Sequence, residues 1–166
     1  MILAFAARYH TYMDYKSLRN REFDTTLRVL QAYPEDKINL KPADKSRTAG
    51  ELAKVLVAEE RIVKILIEKG ATDLSALAPM EKADTMADII SGWQNAVSTN
   101  RPLIEGLSRE DLARTVDFYG MQIALGDALW FELLDHIHHR GQLSVYLRLA
   151  GGKVPSIYGP SADVQR

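Results

Sequence analysis

Four stretches of the sequence carry apolar side chains at the spacing of an amphipathic helix, and connections of about a dozen residues separate them. Each stretch spans roughly 17 to 26 residues, which is the pattern of a four-helix bundle. No alternation of strands and helices points to a parallel sheet, and no sustained heptad points to a long coiled coil. We therefore predict an all-α four-helix bundle that forms one domain over residues 1–166.

Capping and helix-breaking residues predict where the first two helices end and begin. The first helix ends just before Pro34, because proline cannot continue it. Thr48 and Glu51 match a capping box, in which each side chain satisfies the backbone amide of the other, so the second helix begins there. Gly70 then supplies the C-cap of that helix.

The second half of the chain is predicted in the same way. A third helix begins at about residue 83, and Pro102 either kinks or closes it. Residues 116–120 are predicted as a short strand or an extended turn. The fourth helix runs from about residue 125 to residue 150, where two glycines end it.

The charge balance argues against nucleic-acid binding. The chain has 21 basic and 22 acidic side chains and a formal net charge of −1, whereas phosphate binding relies on clustered Lys and Arg. No apolar run reaches the ~18 residues that a membrane span needs. We therefore expect no nucleic-acid partner, no membrane insertion and a cytoplasmic location.

Three of the four histidines lie within four residues on the predicted fourth helix. Because the chain has no cysteine, any metal ion must be held by His, Asp or Glu. Positions four apart share a helix face, so Asp135 and His139 can point at one ion, and Glu132 and His136 form a second such pair. Helical geometry prevents His136, His138 and His139 from all facing the same ion.

Two ligands are too few for a tight site, so a third must come from a facing helix. Glu59 is the most suggestive donor, because it lies in the apolar stripe of the second helix, where a carboxylate must be paired or hydrogen-bonded. The alternative is purely structural. Glu59 then pairs with Arg140, and the histidines are ordinary hydrogen-bonded or exposed imidazoles.

Other candidates are weaker. His10 lies in the N-terminal segment away from the cluster, and Trp93 and Trp130 have the spacing of packing residues rather than of ligand-stacking ones. Gly141 lies inside the fourth helix, where glycine costs about 1 kcal/mol relative to alanine, and we interpret it as a site of close helix packing.

The segment from Asp135 to Arg148 reads Asp-His-Ile-His-His-Arg-Gly-Gln-Leu-Ser-Val-Tyr-Leu-Arg. Residues 151–163 read Gly-Gly-Lys-Val-Pro-Ser-Ile-Tyr-Gly-Pro-Ser-Ala-Asp. Together these two segments resemble the DinB family of bacterial damage-inducible proteins. Residues 45–53 are similar to the start of that family's second helix. The resemblance implies a four-helix bundle with a long crossover connection, often a homodimer. It also implies kinship with mycothiol-dependent maleylpyruvate isomerase and bacillithiol transferases.

The resemblance also implies a metal site. Members of the family typically bind a divalent metal, commonly nickel or zinc, through one histidine on the second helix and two histidines four residues apart on the last. His139 occupies the last of these positions, Asp135 occupies the one before it, and Val55 lies where the second-helix histidine is expected. Valine cannot ligate a metal, so Glu59 or a shift to His136 would have to compensate.

Two functions remain open from the sequence. The first is a DinB-like protein of undetermined activity whose divalent-metal site is atypical or lost, so that no metal need be bound. In that case the pocket holds a small molecule, a thiol ligand or a stress-linked partner, and Asp135, His139 and Arg140 form a buried polar network. The second is an active metal-dependent thiol transferase or hydrolase, in which Asp135, His139 and Glu59 are the ligands. Arg140 or Gln142 then orients them. No residue is assigned a catalytic role.

Overall fold

The computed structural model describes residues 14–77 and 83–164. Four long helices and one short helix form most of this part of the chain, with a two-stranded hairpin before the last helix. The elements are α1 (Tyr15–Gln31), α2 (Ala49–Lys69), α3 (Met86–Glu105), α4 (Arg109–Ala113), β1 (Thr115–Phe118), β2 (Met121–Ala124) and α5 (Leu125–Leu149). Helices α1 and α2 each pack against α3 and α5, which confirms the predicted all-α four-helix bundle.

Capping positions the helix that carries Glu59. The backbone amide of Thr48 donates to Glu51 Oε2 at 2.7 Å, and the amide of Glu51 donates to Thr48 Oγ1 at 3.1 Å. Gly70 ends the helix in the left-handed conformation at φ 73°, which glycine adopts without steric strain. Both predicted ends of α2 are therefore confirmed.

The connection before α5 is more structured than predicted. Residues 107–123 contain the short helix α4 and an antiparallel hairpin in which Phe118 pairs with Met121. The strand predicted at 116–120 is present as β1, whereas α4 and β2 were missed. Pro102 lies inside α3, which continues to Glu105 instead of closing at the proline.

Two apolar clusters fill the bundle, and charged side chains are buried between them. One cluster lies toward the α1–α2 connection and includes Trp93, and the other lies beside the hairpin and includes Phe118. Along α2 the two clusters are separated at Glu59 and Glu60, and along α5 at Glu132; all three glutamates are buried. Burial of carboxylates requires compensating partners, so we expect a functional site among these three buried glutamates.

The remaining predictions concern membrane spans, the two tryptophans and His10. Across residues 14–77 and 83–164, none of the helices combines the length and the apolar character that crossing a bilayer requires. Trp93 is a core residue as predicted, whereas Trp130 is partly exposed and packs edge-on against Tyr15. His10 lies outside the described residues.

Candidate metal centre

The three clustered histidines of α5 point in different directions. His136 is fully buried, His138 is exposed, and His139 lies between them at the bundle surface. The prediction that they cannot share one ion agrees with this arrangement. Only His136 and His139 turn toward α2, where both approach the carboxylate of Glu59.

Glu59, Asp135 and His139 bring three potential ligand atoms together. His139 Nδ1 lies 2.5 Å from Glu59 Oε1 and 3.8 Å from Asp135 Oδ2. One ligand atom from each residue falls within 4.8 Å of the others. Glu59 is buried and Asp135 is exposed, so the three side chains extend from the core to the surface of the bundle.

The spacing of these atoms fits a divalent cation after one small adjustment. Metal–ligand bonds of about 2.0–2.2 Å place neighbouring ligand atoms about 3–4.5 Å apart. The separation of 3.8 Å between His139 and Asp135 meets that requirement. The 2.5 Å contact between Glu59 and His139 is a short hydrogen bond, which would have to open when an ion is bound.

The electrostatics of the Glu59–His139 contact favour a proton between the two side chains. Burial alone would raise the pKa of Glu59, but its contacts with His136 and His139 outweigh burial and hold the pKa below its usual value. The hydrogen bond from Glu59 raises the pKa of His139. Both shifts favour a carboxylate facing an imidazolium.

His136 supports Glu59 from the core side. Its Nε2 lies 2.7 Å from Thr26 Oγ1, and its Nδ1 lies 3.4 Å from Glu59 Oε2. Its ring stacks on Trp93, with centroids 5.0 Å apart. Burial lowers the pKa of His136, so the neutral ring is favoured. The Thr26 hydroxyl also donates to the Glu22 carbonyl oxygen at 3.1 Å.

The expected pairing of Glu59 with Arg140 is wrong. Arg140 Nη1 donates to Glu22 Oε2 at 2.5 Å, and its Nη2 donates to the Tyr158 hydroxyl at 2.8 Å. Successive residues on a helix differ by about 100° in direction. Because His139 faces α2, Arg140 is therefore turned toward α1, where Glu22 is buried.

The remaining predicted site residues lie away from the three donor atoms. The amide of Gln142 is exposed and contacts His138 Nε2 at 2.9 Å, not a candidate ligand. Val55 is half-buried one turn before Glu59 and offers no donor atom. A Cβ added at Gly141 would meet no atom within 4 Å, so the interpretation of Gly141 as a close-packing site in the bundle is wrong.

Glu132 is paired with a residue that the sequence did not indicate. The Tyr119 hydroxyl donates to Glu132 Oε1 at 3.4 Å, whereas His136 contacts Thr26 and Glu59. Burial, followed by the charges of Glu59 and Asp135, raises the pKa of Glu132 to about 8. The predicted pair of Glu132 and His136 is thus replaced by two separate contacts.

A second buried network lies on the α1 side of Glu59. Arg19 forms an ion pair with Glu60, and the Asn100 side-chain amide donates to Glu60 Oε2 at 2.9 Å. The adjacent acidic residues at 59 and 60 therefore have different roles. Glu60 is paired with an arginine, whereas Glu59 faces His139, which must lose its proton before a metal can bind.

Comparison with known proteins agrees with this fold. The sequence profile described as the DinB family matches residues 9–165. YrdA of Bacillus subtilis, an uncharacterised protein, is 29% identical over 148 residues, which cover 86% of this chain and 84% of YrdA. YjoA of the same organism, also uncharacterised, is 27% identical over 144 residues, covering 77% of this chain and 83% of YjoA.

Solved structures give the same architecture. A DinB-like protein from Bacillus cereus ATCC 10987 matches with a TM-score of 0.71 and 21% identity, covering 84% of this chain and 92% of that protein. The crystal structure of YjoA matches with a TM-score of 0.70 and 23% identity, covering 83% and 92% respectively. At these identities the likeness describes the fold.

Proposed function

This chain belongs to the DinB family, and we propose that it binds a divalent metal through Glu59, Asp135 and His139. The observation that carries the proposal is the convergence of one buried carboxylate, one exposed carboxylate and one imidazole within 4.8 Å. Glu59 would take the role that the family pattern gives to a histidine at the position of Val55, one helical turn earlier.

The donor set has the charge and chemistry for such an ion. Two carboxylates and a neutral imidazole carry a total charge of −2, which balances a divalent cation. Imidazole suits nickel and zinc, whereas carboxylate oxygens favour harder ions. We therefore expect the preference for zinc and nickel over harder ions to be smaller at this site than at a three-histidine site.

The proposed activity is metal-dependent hydrolysis or thiol transfer. A bound divalent ion supplies Lewis-acid chemistry, lowering the pKa of a water or thiol that it coordinates. Three protein ligands leave a coordination position for that group. Within the chain, His136 would hold Glu59 in place, and the exposed Asp135 would lie on the side from which a substrate enters.

Metal binding can be tested directly. Protein purified without chelators is analysed for metal content, and the metal-free form is titrated with Zn²⁺ and Ni²⁺ by calorimetry. Glu59→Gln, Asp135→Asn and His139→Ala are each expected to weaken binding by at least about tenfold. Asp127→Asn is the matched control, because Asp127 is an exposed carboxylate on the first turn of the same helix. A wild type that takes up neither ion contradicts the proposal.

A non-catalytic bundle is the second candidate. The 2.5 Å hydrogen bond between Glu59 and His139 satisfies both groups without an ion, and Val55 offers no ligand. In this candidate the site holds a small molecule or thiol ligand. Turnover of a panel of thiol conjugates and esters, lost in Asp135→Ala, would exclude it.

We further propose that the protein is a cytoplasmic homodimer. The near-neutral charge gives no electrostatic footprint for nucleic acid or anionic membrane, and α5 carries apolar side chains on its outer face. Fractionation of cells that express the tagged protein tests the location, and light scattering over a range of concentrations tests the assembly.

A further inference from the structure

A cleft of about 470 Å³ lies between the tip of the hairpin and α5, directly beside the candidate metal centre. Its volume falls within the range of small-molecule sites. Asp135 belongs both to the cleft and to the metal-ligand group, so the two share a wall. The residues that matter for its chemistry are Phe118, Tyr119, Phe131, Leu134, Glu132 and Asp135.

One half of the cleft is aromatic. Phe118 is buried and stacks on Phe131, with centroids 5.9 Å apart and an angle of 18° between the rings. Phe131 and Tyr119 are each about half exposed. Because the buried Phe118 ring packs against the exposed Phe131 ring, Phe131 offers a fixed surface on which a second flat ring can stack.

Tyr119 is held in this position against its backbone preference. It has a φ of 50° and is followed by Gly120 at 85°, which are the conformations of a type I′ turn. Asparagine is favoured at the first of these positions, and a bulky residue there is strained. Strain of this kind is concentrated at ligand sites, and here it aims the Tyr119 hydroxyl at Glu132.

The other half of the cleft is polar. Glu132 is 5% exposed and lines the cleft. Its contact with the Tyr119 hydroxyl is long, at 3.4 Å, so a ligand group can replace or bridge it. Beyond Glu132 the exposed carboxylate of Asp135 leads to Glu59 and His139.

We propose that this cleft is the substrate subsite of the metal centre and that it takes a small molecule with an aromatic ring joined, within a few atoms, to an oxygen group that binds the ion. The ring lies against Phe131 and Tyr119, and the oxygen group reaches past Asp135. This inference rests on the proposed function, because the ion supplies the anchor at one end of the ligand.

Two hydroxamates that differ only in the ring provide the test. Benzohydroxamate and acetohydroxamate chelate a metal through the same oxygens, but only the first carries a phenyl group. Binding of each to the zinc-loaded protein is measured by calorimetry. We expect benzohydroxamate to bind at least about tenfold more tightly, as stacking and burial of one ring allow.

Variants locate that preference in the cleft. Phe131→Ala and Tyr119→Asn should each reduce the preference for benzohydroxamate to less than about threefold, while acetohydroxamate binding stays unchanged. Tyr119→Asn creates the Asn-Gly sequence favoured in type I′ turns, so it should fold at least as well as the wild type. Leu74→Ala is the control, because Leu74 is an exposed apolar residue outside α5.

The outcomes separate this inference from the proposed function. If both hydroxamates bind equally well, the aromatic subsite is wrong and the metal centre stands. Loss of the preference in Leu74→Ala as well as in Phe131→Ala would also overturn the subsite. If neither hydroxamate binds a protein shown to contain zinc, the metal-binding proposal stands, but the ion has no open position, and both the proposed activity and the subsite fail.

Discussion

Glu59 on α2 and His139 on α5 are joined by a hydrogen bond of 2.5 Å between Oε1 and Nδ1. The same two atoms are the ones that a divalent cation would need. A proton and a metal ion therefore compete for one position between the helices. That competition makes the properties of the site depend on pH in a way that can be measured with and without metal.

Metal binding should tighten as the pH rises above about 6.5. The carboxylate of Glu59 raises the pKa of His139 above its ordinary value of 6.5, and the imidazolium must lose its proton before Nδ1 can ligate. Zinc titrations in buffers with different ionisation enthalpies should show about one proton released per ion near pH 6.5. Proton release in this range should disappear in His139→Ala, and pH-independent binding by the wild type would argue against His139 as a ligand.

The metal-free protein should show the complementary effect on stability. His139, with a raised pKa, stabilises the fold below its unfolded pKa of about 6.5 and loses this contribution as pH rises through its folded pKa. Glu59, with a lowered pKa, stabilises it above about 4.5 and loses this contribution as pH falls through its folded pKa. The wild type should therefore exceed Glu59→Gln in unfolding free energy most between about pH 4.5 and 6.5.

Urea unfolding at several pH values measures that difference. Glu68→Gln is a suitable control, because Glu68 lies on the same helix and forms an exposed pair with Lys64, which contributes only a few tenths of a kcal/mol. A stability difference for Glu59→Gln that is constant from acid to neutral pH would show that the charged pair is not formed.

The helices and part of this site could be predicted from the sequence because they depend on local signals. Thr48 and Glu51 act on each other across a single turn, and the same periodicity that defines α2 marks Glu59 as a carboxylate in an apolar stripe. The Asp135–His139 spacing is also local. Such signals can be recognised in the sequence because they involve neighbours along one helix.

The missed contacts join distant parts of the chain or depend on direction around a helix. Thr26 and His136 are separated by 110 positions, and nothing near Thr26 indicates that contact. The sequence places Arg140 next to His139, but one step around α5 turns Arg140 away from Glu59 and toward Glu22. The α4 and β2 segments carry too few apolar repeats to predict an element.

The buried ion pair of Arg140 and Glu22 should be sensitive to removal of one partner. Arg140→Met leaves the Glu22 carboxylate buried without its cation and is expected to destabilise the protein by about 3–5 kcal/mol. Removing both charges in Glu22→Leu/Arg140→Met should restore most of that loss. Chemical denaturation measures each value. Arg148→Met is the control, since Arg148 is exposed and its pair with Asp163 contributes at most about 1 kcal/mol; equal losses at both arginines would contradict the account.

Gly141 should be replaceable with a gain in stability. It lies inside α5, and a Cβ there meets no atom within 4 Å, so Gly141→Ala should stabilise the helix by up to about 1 kcal/mol. Gly152→Ala should behave in the opposite way, because its Cβ would overlap with the buried Leu147 side chain. Thermal unfolding compares the two. A destabilised Gly141→Ala variant would mean that another surface packs against this point.

The outer face of α5 predicts how two copies pair. Phe131, Leu134, Val145 and Leu149 are each more than half exposed. Together with Gly141 they follow one another along the helix at steps of three, seven, four and four residues. Antiparallel pairing about a point near residue 140 places Phe131 opposite Leu149 and Leu134 opposite Val145. The stripe is therefore complementary to itself. We expect a concentration-dependent dimer in which Leu149 of one copy lies at the outer edge of the other copy's aromatic cleft.

Single cysteines can test this register, because the natural chain has none. Gly141→Cys should cross-link to its own copy near the twofold axis, where the Cα separation suits a disulfide. Phe131→Cys alone should not cross-link, but a mixture of Phe131→Cys and Leu149→Cys should give the mixed dimer. Light scattering should show that Val145→Glu is monomeric, while Leu74→Glu, an equally exposed apolar position outside α5, keeps the wild-type assembly. A parallel pair would cross-link every single variant equally, and a wild type that stays monomeric at all concentrations would rule out the interface.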